Sequence, residues 1–248
     1  MDTTPEPSAA VEEFVKRAER LASDAERHIP SWLRPGDPES RVPVLLALIV
    51  AITLQLLISP NYILLPRWPL ITLEVLLLVV LVLLNPVRLS RSTRLGKYAG
   101  RVLLGAITVD NTLSAIVLDV RIISGEVSND AALLLGSGSA IFVTNVIAFG
   151  IWYWELDRGG PFARREGTRP YPDFLFPQME PDTAILARPG WRPTFVDYLY
   201  VSITNAMAFS PTDTTPLSRW AKMMMTAQAI VALTTAGLVI ARAVNVLG

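Results

Sequence analysis

The chain has 248 residues, of which 51% are apolar, and its 22 basic residues balance 22 acidic ones with no cysteine anywhere. Zero net charge offers no field for a nucleic acid to follow, and the missing thiols remove disulfides, thiolate metal sites and cysteine nucleophiles together. Mean hydropathy is positive and the charges are segregated, the pattern of a chain whose partner is a lipid bilayer.

Residues 1–41 read as a cytosolic arm. Within it Val11, Phe14, Val15, Ala18, Leu21, Ala22 and Ala25 recur at helical spacing, which predicts a soluble amphipathic helix packed on the protein's own cytosolic face or on a neighbouring copy. Pro30, Pro35 and Pro43 then break the path. The N-terminal stretch is polar and acidic, so the first apolar run reads as an uncleaved anchor and not as a secretory signal.

Four runs nearly free of charge follow, at 42–59, 69–84, 131–154 and 223–241, each near the roughly 20 residues a helix needs to cross hydrocarbon. Two more, 102–120 and 194–210, are long enough but carry polar residues. The expected fold is therefore an all-α polytopic transmembrane bundle of about six spans. Residues 42–154 supply four helices, 155–192 an irregular linker, and 193–248 a helical hairpin. The link over 86–101 carries Arg88, Arg91, Arg94, Lys97 and Arg101 with no acid, so it is cytoplasmic by the positive-inside rule. Both termini are then expected inside, with the protein in the cell inner (plasma) membrane. Trp68, Trp152, Tyr153, Trp154 and Trp220 fall at the ends of apolar runs, where amphipathic rings favour the interface.

In the linker, Gly159, Gly160, Pro161, Gly167, Pro170, Pro172, Pro177, Pro181 and Pro189 exclude a continuous helix. Its arginines and acids cancel. The stretch 173–179 is apolar for a loop and is expected under the helices or against a neighbouring subunit.

Polar residues inside the spans are the functional candidates, because a charge at mid-bilayer costs about 2.5–3.5 kcal/mol on insertion scales. Glu74 is expected to bond another helix, whereas Asp110 and Asn111 fall at the centre of the third run. Arg101, Thr108, Asn111, Thr112, Ala115 and Asp119 share one arc there, with Gly105 at its edge. Ser137, Thr144, Asn145 and Ala148 line one side of the fourth, and Asp197, Tyr200, Thr204 and Ala208, with Asn205 nearby, one side of the fifth. Such faces either enclose a hydrated path or hold helices together by bonds of about 0.6 kcal/mol each.

The Gly136-Ser-Gly-Ser139 run reads as close helix packing, since the one histidine, His28, lies in the arm and no base is within reach of a serine. No phosphate loop, paired-histidine metal site or dinucleotide fingerprint occurs. No enzyme activity, cofactor or metal is expected.

The run from Asp197 to Arg219 resembles the pore module of two-transmembrane potassium channels, in which a D-x-L-Y-x-S pore helix precedes the filter and a T-P-L-G-R turn leads into the inner helix. Asp197, Leu199, Tyr200 and Ser202 match the first part, and Thr215, Pro216, Leu217 and Arg219 the second. The filter itself has no counterpart in 206–213. The last hundred residues or so also resemble a family of bacterial multi-pass membrane proteins with an F-S-P-T-D core, a likeness that extends to Trp152–Asp157 and Asp173–Pro177.

The resemblance implies a pore-forming or transport protein, a homo-oligomer that passes a cation. The path candidates are Asp110, Asn111, Asn145, Asp197, Tyr200, Thr204, Asn205, Ser210, Thr212 and Asp213. The alternative is a structural or accessory membrane subunit whose arm and apolar linker bind a partner protein. A channel-like 194–210 would be re-entrant, but the loop charges favour a full crossing. Either way 209–215 is expected at the outer side, capping the last helix or forming an acidic ring that attracts cations.

Overall fold

The computed structural model describes Arg17 and residues 30–64, 67–84, 94–127, 130–208 and 213–247. The amphipathic helix of the arm, the link residues Arg88 and Arg91, and the candidates Ser210 and Thr212 lie outside these described residues. Within them the chain is all-helical, with eight α-helices and one pair of two-residue strands.

Helix α1 (Val42–Gln55) begins with Pro43 in its first turn, where a missing N–H is no loss, and Pro60 opens a 3-10 turn (Pro60–Tyr62) beyond its end. Helices α2 (Arg67–Leu84), α3 (Arg94–Ser124) and α4 (Ala131–Leu156) follow. Gly125, at φ +75°, ends α3, and the Asp130 carboxylate caps α4 by accepting from the N–H groups of Ala132 and Leu133 at 2.9 and 3.1 Å. The linker holds α5 (Pro161–Glu166), β1 (Phe174–Leu175) and α6 (Pro181–Ala184). Then come α7 (Phe195–Ala208), β2 (Thr215–Pro216) and α8 (Arg219–Leu247).

Four helices are long and apolar enough to cross a membrane: α2, α3, α4 with the turn after it, and α8. Helices α1 and α7 have 14 residues each. At 1.5 Å per residue such a helix is about 21 Å long, against about 30 Å of hydrocarbon. Helix α4 is the centre, packed on α1, α3, α7 and α8. Helix α2 fully buries only Glu74 and Leu81, packs Ile71, Leu77, Leu78 and Val80 against the core, and exposes Leu73, Val75, Leu76, Val79, Val82 and Leu83, the pattern expected of a helix at a lipid boundary.

The bundle has two distinct ends. At the basic end Arg41 Nη1 donates to the Leu81 carbonyl at 3.1 Å, Arg101 faces Glu155 at 3.6 Å, and Glu39 accepts from Trp154 Nε1 and from the N–H of Phe195. At the far end Ile58, Tyr62, Leu118, Leu134 and Ala243 form one apolar cluster. The chain from α1 through Tyr62, and helices α2, α3, α4 and α8, all run between these ends.

Helix α7 does not. It starts beside Glu39 and Trp154, and its Ser202 hydroxyl donates to the Val146 carbonyl, half way along α4, at 2.6 Å. By Asp213 the chain is back near Tyr200, whose hydroxyl donates to the Asp213 carboxylate at 3.2 Å, and Thr215–Pro216 pairs antiparallel with Phe174–Leu175 of the linker. Along the bundle the segment thus runs half way and returns, which leaves 213–216 at the linker's end. The reason is local: Ser202 and Asn205 find their buried partners at mid-depth, and 14 residues reach no further. Residues 30–41 and the end of α8 stand at opposite ends of the bundle.

Small residues set the closest contacts. A Cβ on Gly138 would come within 2.8 Å of Val239 on α8, and one on Gly150 within 3.2 Å of the Leu199 backbone on α7. The close packing expected of Gly136–Ser139 is therefore carried by Gly138, since Gly136 meets nothing. The apolar linker stretch packs under the helices, with Phe174 and Phe176 buried in the main core.

Candidate functional site

A hydrogen-bond network at mid-depth ties α4, α7 and α8 together. Its hub is Gln228 of α8, which is fully buried. The Gln228 Oε1 accepts from the Tyr153 hydroxyl at 2.5 Å and from Asn205 Nδ2 at 2.9 Å. Its Nε2 donates to the Ser202 carbonyl and hydroxyl at 3.0 and 2.7 Å. Asn205 also reaches the Met225 carbonyl at 2.9 Å, and Asn145 Nδ2 the Gln228 carbonyl at 3.3 Å. In a medium without competing water such groups stay where their partners are.

The network is not saturated. Asn145 Oδ1 and Thr144 Oγ1, both buried, have no hydrogen-bond partner among the described residues, and neither do Asn111 Oδ1 and Ser114 Oγ on α3. Helices α3 and α4 run antiparallel, with Trp152 Nε1 donating to Thr108 Oγ1 at 2.9 Å and Arg101 facing Glu155. Continuing that register puts Ser114 about level with Asn145. Spare acceptors of α3 and α4 thus share one depth.

A second polar group lies between α1, α2 and α3. Gln55 Nε2 donates to Glu74 Oε1 at 3.3 Å, and Arg67 donates to the carbonyls of Gln55 and Ile58. Asp110, 7% exposed, shares a small cavity with Gln55 and Arg67. Two carboxylates and one guanidinium are therefore held inside the helical region.

The return of α7 to the basic end is fixed by a clasp of carboxylates. Asp157, at the end of α4, accepts from the Tyr198 hydroxyl at 2.5 Å and from the Asp173 N–H at 2.8 Å. Asp173 in turn accepts from Trp220 Nε1 at 2.7 Å and from the Arg158 N–H at 2.9 Å, and its carbonyl accepts from the Leu217 N–H at 2.8 Å. Linker, α7 and α8 are fastened at one place.

The candidates from the sequence are distributed unevenly over this geometry. Asp110, Asn111, Asn145 and Asn205 are buried, each in one of the two polar groups or beside them. Asp197 is a helix cap, accepting from the N–H and hydroxyl of Thr194 at 2.7 and 2.8 Å. Thr204 spends its hydroxyl on the Tyr200 and Val201 carbonyls of its own helix. Tyr200 and Asp213 bond each other on the outer side of α7. The inward face of α7 is Tyr198, Val201, Ser202 and Asn205, turned away from the face expected from Asp197, Tyr200, Thr204 and Ala208. Gln228, Ser202 and Tyr153 were not anticipated. A glutamine in the apolar run 223–241 was the available signal. No family model, curated protein or solved structure matches the chain.

Proposed function

We propose that the chain is a membrane transport protein in which a cation passes by the inner end of the re-entrant helix α7. The observation that carries this reading is the half-crossing itself: α7 starts at the basic end, stops half way along α4, and the chain returns to pair with the linker. A helix that stops inside the bilayer turns the negative end of its dipole and its unpaired carbonyls toward the midplane, an arrangement that suits cations. Asn205 and the spare oxygens of Asn145 and Thr144 lie close to that depth, and Asp110 and Glu74 supply carboxylates on the other side of the bundle. A groove of 370 Å³ lined by Asn205, Lys222, Met225 and Thr226 adjoins the same place.

The topology proposed with it puts the basic end in the cytoplasm of the inner (plasma) membrane, because Arg94, Lys97, Arg101 and the linker arginines gather there. The first run then crosses as α1 plus the turns to Tyr62, and the C-terminus emerges outside. A potassium-channel pore helix enters from the outer side, so the likeness extends to the helix, the return and the inner helix, in reversed orientation. Homo-oligomerisation through the outward face of α8 is part of the proposal, as the channel-like module requires several copies around one axis. The accessory-subunit alternative loses one of its supports, since the apolar linker stretch packs on its own chain.

Cation flux into proteoliposomes tests the reading. Wild type is expected to pass monovalent cations, and Asp110→Asn and Asn205→Leu each to lower the flux about tenfold with protein yield unchanged. Absence of flux under sodium, potassium, proton and magnesium gradients alike would refute it.

A further inference from the structure

A cavity of 140 Å³ at the basic end is walled by Trp32, Asp37, Glu39 and Thr194 and by four arginines, Arg158, Arg164, Arg165 and Arg192. Arg158 is 1% exposed and Arg164 7% exposed. Both guanidinium groups spend their other hydrogen bonds on carbonyls. Arg158 donates to the Arg169 and Trp32 carbonyls at 2.8 and 2.7 Å, and Arg164 to those of Trp154 and Asp157 at 2.6 and 3.0 Å. The Nη2 atom of each remains without a hydrogen-bond partner among the described residues. Arg164 Nη2 also forms a long ion pair with Glu39 at 3.8 Å.

Charge and strain agree at this place. Among the residues walling the cavity four arginines stand with two acids, Asp37 and Glu39, and guanidinium stays protonated throughout the accessible pH range. Burial depresses the pKa of Arg192, with Asp37 opposing the shift. Arg158 also holds a left-handed backbone at φ +52°, which a side chain adopts at a cost and which Asp173 secures through the Arg158 N–H. Its guanidinium packs on the Trp32 ring, 5.2 Å from the centroid. A planar fork with one nitrogen spare, repeated on a neighbouring arginine, matches the oxygens of a phosphate group.

We infer that this cavity binds a phosphate group. The shared chemistry is a phosphate anion accepting from Arg158 and Arg164 Nη2, with Arg165 and Arg192 at the mouth. It comes from a lipid headgroup or from a soluble phosphate, and the two sources are separable by experiment. The site stands apart from α7's inner end, so it does not depend on cation transport.

Arg158 supports the turn after α4, and its removal endangers folding. Gly36 offers a milder handle: a Cβ there would come within 1.7 Å of Arg192 Nη1, the far end of a flexible side chain, so Gly36→Ala displaces that guanidinium and leaves the buried pair alone. Arg192→Gln removes the charge outright. Full-length wild type, Gly36→Ala and Arg192→Gln, purified in uncharged detergent, are compared in two arms. The first titrates inorganic phosphate against chloride at equal ionic strength and reads the thermal midpoint. The second adds phosphatidylglycerol or phosphatidylcholine and counts lipids retained by native mass spectrometry. A rise in midpoint with phosphate, or selective retention of phosphatidylglycerol, with about tenfold weaker binding in both variants, supports the site and names its source. No phosphate-dependent shift together with equal lipid retention in all three proteins overturns it, as does a response that both variants keep in full.

Discussion

Replacing Gln228 by leucine removes the hub of the mid-depth network at nearly constant volume. Four side-chain bonds disappear, those with Tyr153, Asn205 and the Ser202 carbonyl and hydroxyl. At about 0.6 kcal/mol per interhelical bond in a membrane, that is about 2.4 kcal/mol. The partners fare differently. Asn205 still reaches the Met225 carbonyl and Ser202 still donates to Val146, but the buried Tyr153 hydroxyl has no second partner among the described residues. An orphaned buried hydroxyl adds about 1–3 kcal/mol, so Gln228→Leu is expected to cost about 4 kcal/mol in total. Tyr153→Phe alone loses one bond and should cost about 0.6 kcal/mol. The double variant loses the same four bonds as Gln228→Leu but strands no hydroxyl. It should therefore be more stable than Gln228→Leu by about 1–2 kcal/mol, a strongly non-additive cycle. Unfolding in mixed micelles of increasing dodecyl sulfate fraction, followed by tryptophan fluorescence, measures all four corners. A double variant less stable than Gln228→Leu, or a Gln228→Leu protein within 0.5 kcal/mol of wild type (about the spread of a neutral surface change), would refute this account of the network.

Single cysteines need no background cleared, and they decide the path of α7: Tyr171→Cys and Asp213→Cys, both exposed, should react with an impermeant reagent from the same side, and Asn245→Cys from the other. Asp213→Cys and Asn245→Cys exchanging those sides would restore the six-span arrangement. Gly150→Val places its Cβ within 3.2 Å of the Leu199 backbone, and overpacking should lower stability by about 1–3 kcal/mol in the same micelle assay, whereas Gly136→Ala, facing nothing, should be neutral. The pH dependence of Glu39→Gln has a defined sign. Burial lifts the Glu39 pKa above its ordinary 4.5, with Arg164 opposing, so the folded state favours the protonated acid. Wild type then loses stability as pH rises from 4.5 through the folded-state value, and the variant should gain on it between pH 4 and pH 7. A stability difference that is flat over that range would contradict the burial argument.

The sequence made the membrane class legible because length and charge poverty are properties of contiguous runs: α2, α4 and α8 appear where three of the four charge-poor stretches predicted them, α3 arises from the more polar run 102–120, and the run 42–59 yields only the 14-residue α1. The course of the fifth run is not legible in the same way. Residues 194–210 have the length for a crossing, but what halts α7 is the position of partners on other helices: Val146 for Ser202 and Met225 for Asn205. In the sequence Asp197, Tyr200 and Thr204 form a polar stripe, whereas in the fold each finds a partner locally, in a cap, in Asp213 or in its own helix. Asn145 and Asn205 were visible as costly polar groups in apolar surroundings. Gln228, a lone amide in the apolar run 223–241, is equally visible. Arg158 and Arg164 were hidden by bookkeeping: the linker's charges cancel in sum, and a sum says nothing about which guanidinium groups are taken out of water.

The clasp at the basic end has a bearing on how the polypeptide is made. Asp157 and Asp173 leave the ribosome well before Tyr198, and Trp220 follows later still. A nascent chain that has just delivered α7 already holds Glu39, Val146 and Asp157 as its partners, while Trp220, which bonds Asp173, and Met225 and Gln228, which bond Asn205, come later. The contacts of α7 with the final helix are therefore the last to form, and truncations within α8 should loosen the inner end of α7.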